Sequence, residues 1–433
     1  MFEIREKPEM VERAMLVSIY FDPSEAGEKQ AMLDELEDLV SNLGIGIAGK
    51  HLIKSRDMHA KFLCGTGKAQ EVKQLALDCR ADCVVFDNML SPSQQREWER
   101  LVDECVIDRE EVILDIFARR ARTREATLQV ELARMQYSLP RMARMWNHLD
   151  RQGGGSGGGK GGGGAARGEG EKQIEVDRRL ARARIEAIQR ELVLVTRQRA
   201  TQRKERERQA VATAAIVGYT NAGKSSLLSL VSGSEVMARD MLFATLDTTT
   251  RKIELPHGQP LLLTDTVGFI RNLPHRLVEA FKSTLEEAVL ADFLIQVVDA
   301  SDPEAVRHYE TTLEVLNELG AGDKPMIVVL NKVDLVPEER RGALETLLAP
   351  HFSGRVVPMS VKEGNGEGDL LNACVEMLES RVRRARFLIP YTRSDLVAAM
   401  HSEGKVFSTE YVEEGTLLEA VLPVAFYNKL ESF

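Results

Sequence analysis

The run VATAAIVGYTNAGKSSLLSLV, Val211 to Val231, decides the fold. Its first seven residues are apolar enough for a buried strand, and Leu227, Leu228, Leu230 and Val231 recur at helical spacing. Between them sits Gly218-Tyr219-Thr220-Asn221-Ala222-Gly223-Lys224-Ser225, a GxxxxGK[ST] loop in the strand–loop–helix setting that such a loop requires. Its glycines let backbone N–H groups wrap a chain of phosphates, and the helix N-terminus adds the positive end of its dipole. Lys224 is placed to reach the β- and γ-phosphates, and the Ser225 hydroxyl to ligate Mg²⁺.

Further signatures follow downstream, each at the end of an apolar strand. Asp265-Thr266-Val267-Gly268 closes LLLTD, 40 residues after Ser225. There Asp265 can hold Mg²⁺ directly or through water, and the Gly268 N–H can meet a γ-phosphate. Asn331-Lys332-Val333-Asp334 closes PMIVVLN. A carboxylate at Asp334 accepts from the two adjacent donors of guanine, N1–H and the exocyclic amine, a pair that adenine lacks. Asn331 and Lys332 would brace that loop, and Ser360-Val361-Lys362 would complete the base pocket. Between the first two signatures lies Phe243-Ala244-Thr245-Leu246-Asp247-Thr248-Thr249-Thr250-Arg251. A threonine in such a loop closes over Mg²⁺ and the γ-phosphate, and composition leaves Thr245, Thr248, Thr249 and Thr250 open.

Working outward, VATAAIV, LLLTD, FLIQVVD, PMIVVLN and RVVPMS are short apolar runs, each feeding a turn and then a helix. That pattern predicts an α/β fold with a doubly wound, mostly parallel sheet over residues 209–382. Upstream, Ala14–Tyr20 reads as a strand, about Ser24–Leu43 as a helix stopped by Gly44, about Ala69–Cys79 as a helix, and Cys83–Phe86 as a buried strand. These make a small α/β subdomain over residues 1–107. Residues 108–208 read as an antiparallel helical hairpin: Leu128, Leu132, Met135, Leu139 and Met142 recur at spacings of 4, 3, 4 and 3, and Ile185, Ile188, Leu192 and Val195 at 3, 4 and 3. Pro140 is expected to kink the first arm. The tip, Gly153–Gly170, is too glycine-rich to pack. Residues 383–433, with RFLIPY, VFSTEYV and LLEAVLPV, read as a small α+β segment that carries no evident chemistry.

The chain of 433 residues has a formal net charge of −10, which by itself argues against nucleic acid. Its distribution reverses that. Phe117–Arg208 carries 22 Lys and Arg against 11 Asp and Glu, a local net of +11, so the rest carries −21. One segment is thus suited to a polyanion while the remainder repels it. Five cysteines (Cys64, Cys79, Cys83, Cys105 and Cys374) without paired spacing suggest thiols in a reducing compartment. Neither a membrane-spanning run nor a secretory signal is legible. A cytoplasmic monomer without membrane insertion is expected, peripheral membrane association being left open. Aromatic content of 5% weighs against a stacking-based single-strand binder.

The set GYTNAGKS, FATLD, DTVGFI and NKVD, behind a glycine-rich tip and a basic hairpin, resembles the HflX family of ribosome-associated GTPases. The stretches LSPSQQREWERLVDECVIDREEVILDIFARRARTREATLQVELARMQYSLPRM and GEGEKQIEVDRR are also similar to that family, so the likeness spans nearly the whole chain. It implies GTP hydrolysis with Mg²⁺, binding of the large ribosomal subunit and its rRNA, a hairpin tip near the peptidyl transferase centre, and splitting of stalled ribosomes. It also singles out Thr245, in FATLD, as the Mg²⁺-ligating threonine, so that Lys224, Thr245 and Gly268 carry the catalysis. The tip is longer and richer in glycine than is usual in the family, and SVK stands where SA is usual.

Two positions mark where this chemistry departs from the common pattern. Many GTPases carry, directly after DxxG, a glutamine that orients the attacking water; Phe269 stands here and can form no hydrogen bond. Slow intrinsic hydrolysis is expected, with the missing group supplied or ordered by the ribosome. Asn221 resembles the asparagine of potassium-activated GTPases, which makes K⁺ a candidate cofactor, with a loop-bracing asparagine as the alternative. Phe62-Leu63-Cys64-Gly65-Thr66-Gly67-Lys68 lacks full P-loop spacing, and a tight turn before a helix explains it, although the family has been linked to ATP use through this domain.

Overall fold

A computed structural model describes residues 11–144, 175–195, 211–233, 242–243, 245–256, 258–272, 282–348, 355–378, 382–423, 426–427 and 430. The glycine-rich tip, Ala244 and the Met142 side chain fall outside the described residues. The chain divides into two units, residues 1–194 with 272–281 and residues 195–271 with 282–433.

In the first unit, β1 (Arg13–Tyr20), β2 (Gly46–Lys54), β3 (Cys83–Phe86) and β4 (Cys105–Asp108) form a parallel sheet in the order β2-β1-β3-β4. The central strands β1 and β3 are buried along nearly their whole length, which is why they read as continuous apolar runs. Strand β2 was not legible: GIAGKHLIK carries glycines, Lys50 and His51, and Ile53 alone is buried, as an edge position allows. Around the sheet lie α1 (Ala26–Asn42), α2 (Thr66–Cys79), α3 (Pro92–Val102) and α4 (Arg109–Arg120). Gly65 stands at the N-cap of α2, and Lys68 pairs with Glu71 of the same helix at 2.7 Å. The Gly-Thr-Gly sequence is therefore a helix start, three residues earlier than the expected Ala69.

Helix α5 (Arg124–Ser138) and the helix over residues 175–195 form the hairpin. Leu128, Leu132 and Ile188 are buried together, with Ile185 and Leu192 packed beside them. Ion pairs Arg124–Glu191 and Arg184–Glu131 join an early position on one arm to a late one on the other, so the arms are antiparallel. These pairs are exposed and fix register more than stability. Pro140 does not kink a continuing helix: α5 ends at Ser138 and Leu139–Arg144 turns as a 3-10 helix. Proline lacks the N–H that the next rung of the α-helical ladder would need.

In the second unit, β5 (Ala212–Gly218), β6 (Thr249–Glu254), β7 (Pro260–Asp265), β8 (Phe293–Asp299), β9 (Met326–Asn331) and β10 (Arg355–Pro358) form one sheet in the order β10-β9-β8-β5-β7-β6. All pairs are parallel except β6–β7. The chain starts in the middle and winds outward on both sides, so the loops after β5, β7, β8, β9 and β10 converge on one edge. The unit also holds an antiparallel sheet, β11 (Val382–Ile389), β13 (Gly415–Pro423) and β12 (Lys405–Val412), with the helix Ser394–Glu403 contributing Met400 to its core. Among the described residues no helix is long and apolar enough to cross a membrane.

Trp98 anchors the first unit's core, fully buried against Phe62 at 5.1 Å and Phe86 at 4.8 Å between ring centroids. Trp98→Ala is expected to destabilise this unit by about 3–5 kcal/mol. Denaturant unfolding followed by far-UV circular dichroism would read it as an earlier transition, and an unshifted midpoint would contradict this packing.

Candidate functional site

The turn after β5 is closed by sterics. A Cβ on Gly218, whose φ is +143°, would lie 2.3 Å from the Val297 carbonyl oxygen on β8. One on Gly223, at φ +99°, would lie 2.2 Å from Asn331 Nδ2. Both glycines are thus required by the neighbouring strands. Lys224 opens the helix Lys224–Ser232 (α7 in chain order, the hairpin's second arm being α6). Its side chain is buried and its Nζ donates to the Tyr219 carbonyl at 2.6 Å. Burial pulls the Lys224 ammonium down to about 8, opposed by the negative charge of Asp265.

Ser225, Thr245 and Asp265 meet at one point. Ser225 Oγ donates to Asp265 Oδ2 at 2.6 Å, Thr245 Oγ1 donates to the same oxygen at 2.7 Å, and the two hydroxyls are 2.5 Å apart. The antiparallel course of β6 explains the meeting: Thr249 pairs with Asp265, so the segment before β6 is delivered to the edge where β7 ends. Geometry thereby separates Thr245 from its neighbours, since Thr250 bonds Thr264 within the sheet at 2.9 Å and Thr249 is in β6. Asp265 is buried and its Oδ1 has no hydrogen-bond partner among the described residues. Burial pushes its carboxyl up, against the hydrogen bond from Ser225 and the charge of Lys224. Two hydroxyls and a buried carboxylate with a spare oxygen form a donor set that fits a hard divalent cation such as Mg²⁺.

The segment after β7 runs beside the phosphate loop. Phe269 N–H donates to the Gly218 carbonyl at 3.1 Å, and Thr220 N–H donates to the Phe269 carbonyl at 2.8 Å. A Cβ on Gly268 would lie 2.9 Å from Lys224 Nζ and 3.0 Å from Thr220. Close approach of this backbone to the loop therefore demands glycine. The Phe269 ring is 1% exposed and carries no hydrogen-bonding group. Thr266 turns its hydroxyl to the Ile216 carbonyl at 2.7 Å, and Val267, Phe243 and Leu246 are buried.

At the other end, Asn331 is the brace that its sequence position suggests. Its Nδ2 donates to the Ala222 carbonyl at 2.8 Å, and its Oδ1 accepts from Val361 N–H at 3.1 Å. Lys332 is held in left-handed backbone, φ +61°, and pairs with Asp299 at 2.6 Å, a partner that the sequence reading missed. Val333 N–H reaches the Met359 carbonyl at 3.4 Å, and Ser360 bridges to Asn365. Asp334 and Lys362 are exposed. Asn221 is also exposed, at φ +61°, and its side chain forms no hydrogen bond among the described residues, which leaves loop bracing without support. Also missed were Arg271, Glu304 and His308: Arg271 N–H donates to the Tyr219 hydroxyl at 2.9 Å, and the Tyr219 ring stacks on His308. Their signal is tertiary, since Glu304 and His308 follow no motif.

A polyphosphate seated in this loop would keep Lys224 protonated well above 8, so binding takes up a proton just above that pH. Affinity for GDP is expected to be level below pH 8 and to fall as pH rises through 8 towards 9. Titration calorimetry at pH 7, 8 and 9 measures this; equal affinity across the series would contradict it.

Three family models match in sequence: "GTP-binding GTPase N-terminal" over residues 30–118, "GTP-binding GTPase Middle Region" over 120–206, and "50S ribosome-binding GTPase" over 213–332. "GTPase HflX" of Chlamydia pneumoniae is 40% identical over 435 residues, covering 100% of this chain and 90% of the relative. "GTPase HflX" of Escherichia coli is 39% identical over 421 residues, covering 97% and 95%. That of Lacrimispora saccharolytica is 41% identical over 431 residues, covering 99% and 98%. A solved GTP-binding protein of Sulfolobus solfataricus in complex with GDP aligns over 85% of this chain and 99% of its own at 24% identity and a TM-score of 0.43. With full-length identity at this level, and a phosphate loop, carboxylate–hydroxyl cluster and Asn331-braced loop on one sheet edge, the chain belongs to the HflX family of P-loop GTPases.

Proposed function

We propose that the protein is a GTP-operated switch that binds the large ribosomal subunit and its rRNA through its basic middle region and splits stalled ribosomes, as a monomer in the cytoplasm. The observation that carries the switch is the meeting of Ser225, Thr245 and Asp265 beside the phosphate loop. The ribosomal partner is supported by family membership, by a matched model described as a 50S ribosome-binding GTPase, and by the local net charge of +11.

Residues 218–225 cradle the phosphates, Lys224 adds the cationic contact, and Ser225 and Thr245 would hold Mg²⁺ with Asp265 behind them. Mg²⁺ held by these residues would supply positive charge against the charge that develops on the phosphates in transfer. Phe243, Ala244, Leu246 and Asp247 flank Thr245 in a loop that the triphosphate closes. Gly268 senses the γ-phosphate through its N–H, with Thr266 and Val267 holding that turn. Asp334 reads guanine while Asn331, Lys332, Val333, Ser360, Val361 and Lys362 shape its pocket. Asn221 is available to a K⁺ ion that would stand where an arginine finger stands in other GTPases.

Replacing Asp334 by Asn removes the double acceptor for guanine and is expected to weaken GDP binding on the order of 100-fold, since each bond to a charged acceptor contributes about 1.5–3 kcal/mol. A fluorescent-nucleotide titration measures it, and affinity within a few-fold of the unmodified protein would sink the base assignment.

GTP turnover is expected to be slow alone, because Phe269 offers no water-orienting group, and to rise with purified large subunits in K⁺ but less in Na⁺. Loss of intact ribosomes from a sucrose gradient after adding protein and a nonhydrolysable GTP analogue supports splitting. Sedimentation with the large subunit and an unchanged ribosome peak would point instead to a role in subunit assembly.

A further inference from the structure

The segment after Gly268 is tied to the phosphate loop by more than its two main-chain bonds. Those bonds, Phe269 to Gly218 and Thr220 to Phe269, exist whatever the side chains are. Two more ties depend on side chains. Arg271 N–H donates to the Tyr219 hydroxyl at 2.9 Å, and the Arg271 guanidinium pairs with the Glu304 carboxylate. Arg271 is 6% exposed.

Glu304 stands at the N-cap of the helix Ala305–Glu318, with its N–H bound by Asp302 Oδ1 at 2.8 Å. One turn later His308 stacks flat on the Tyr219 ring, centroids 3.7 Å apart and planes 6° from parallel. Residues four apart share a helix face. A single face therefore holds both partners: Tyr219 from the phosphate loop and Arg271 from the segment that follows Gly268.

We infer that Arg271 and Glu304, beside the Tyr219–His308 stack, are positioning residues that hold Gly268 in reach of the γ-phosphate and so set the preference for GTP over GDP. This rests on the GTP-switch reading above. The physical reason is that the desolvation of a guanidinium this buried is offset by the carboxylate paired with it. With Glu304 neutral that offset is lost, and the hold of Arg271 on the chain that carries it weakens. Gly268 runs close against the phosphate loop: a methyl group there would lie 2.9 Å from Lys224 Nζ and 3.0 Å from Thr220. GDP lacks the γ-phosphate and does not use the Gly268 N–H, so its affinity is insensitive to this shift. The Glu304 carboxylate pairs with the Arg271 guanidinium and acts through it.

The test uses the full-length protein with Mg²⁺ and compares Glu304→Gln, Arg271→Gln and Arg271→Lys. For each, the affinities for GDP and for a nonhydrolysable GTP analogue, the single-turnover hydrolysis rate and the thermal midpoint are measured. Glu304→Gln is expected to keep GDP affinity within about twofold while lowering analogue affinity and hydrolysis roughly tenfold, less than the loss of a fully buried partner because the Glu304 side chain is 33% exposed. Arg271→Lys should retain more of both than Arg271→Gln. Unchanged discrimination in Glu304→Gln overturns the assignment. Equal weakening of both nucleotides with a lowered midpoint overturns it as well, as a purely structural effect. If the unmodified protein itself neither hydrolyses GTP nor distinguishes the analogue from GDP, the switch reading fails, and the assignment with it.

Discussion

The Asn331 side-chain amide sits between three loops and is satisfied on both sides. It donates to the Ala222 carbonyl in the phosphate loop and accepts from Val361 in the loop after β10, while its own backbone closes β9. It is 3% exposed, where an unmet amide would cost about 1–3 kcal/mol. The same nitrogen lies where a Cβ on Gly223 would be, so the turn before Lys224 and the guanine-type loop constrain each other. A change in either displaces the other. The phosphate-type loop and the Asn331 loop therefore come as one braced piece, fixed by strand ends that the core of the sheet holds in place.

The cation side of the site is built differently. Asp265 is buried with one oxygen bound by two hydroxyls and the other oxygen without a partner among the described residues. Such a carboxylate is held at a cost in desolvation, visible in its raised proton affinity. Lys224 nearby shows the opposite shift for the same reason. The pair keeps the local charge near balance until a polyanion and a divalent cation arrive together. Thr245 reaches this point only because β6 runs against its neighbours; a parallel edge strand would have left the threonine segment at the far end of the sheet.

The sequence made the parallel strands legible because a strand covered on both faces is continuously apolar, and FLIQVVD occupies β8 over the residues quoted. Each phosphate- and base-type motif closed such a run, so the edge that gathers them could be read before the structure. Strands β2 and β6 escaped for the complementary reason, being edge strands with charged or small residues and little burial. The heptad stripe continues past Pro140 and so suggests only a kink, whereas backbone chemistry ends the helix there. Thr245 could not be chosen among four threonines by composition, since strand direction decides the choice. The contacts of Lys332 with Asp299 and of Tyr219 with His308 join residues far apart in the chain, and no local pattern announces them.

Phe269 gives the arrangement its functional logic. At the position where many GTPases hold a water-orienting side chain, this protein buries a ring and uses only the backbone to bind the phosphate loop. The segment is thus anchored at Phe269, a residue whose side chain contributes no hydrogen-bonding group. A site that held phosphates and base in this braced frame, without a water-orienting side chain at position 269, would under the proposed role store the triphosphate state rather than consume it. Under the proposed role, that state persists until a ribosomal surface or a monovalent cation supplies the missing alignment. Slow hydrolysis would then follow from one buried phenylalanine, and under that role the timing of release would pass from the nucleotide site to the partner it binds.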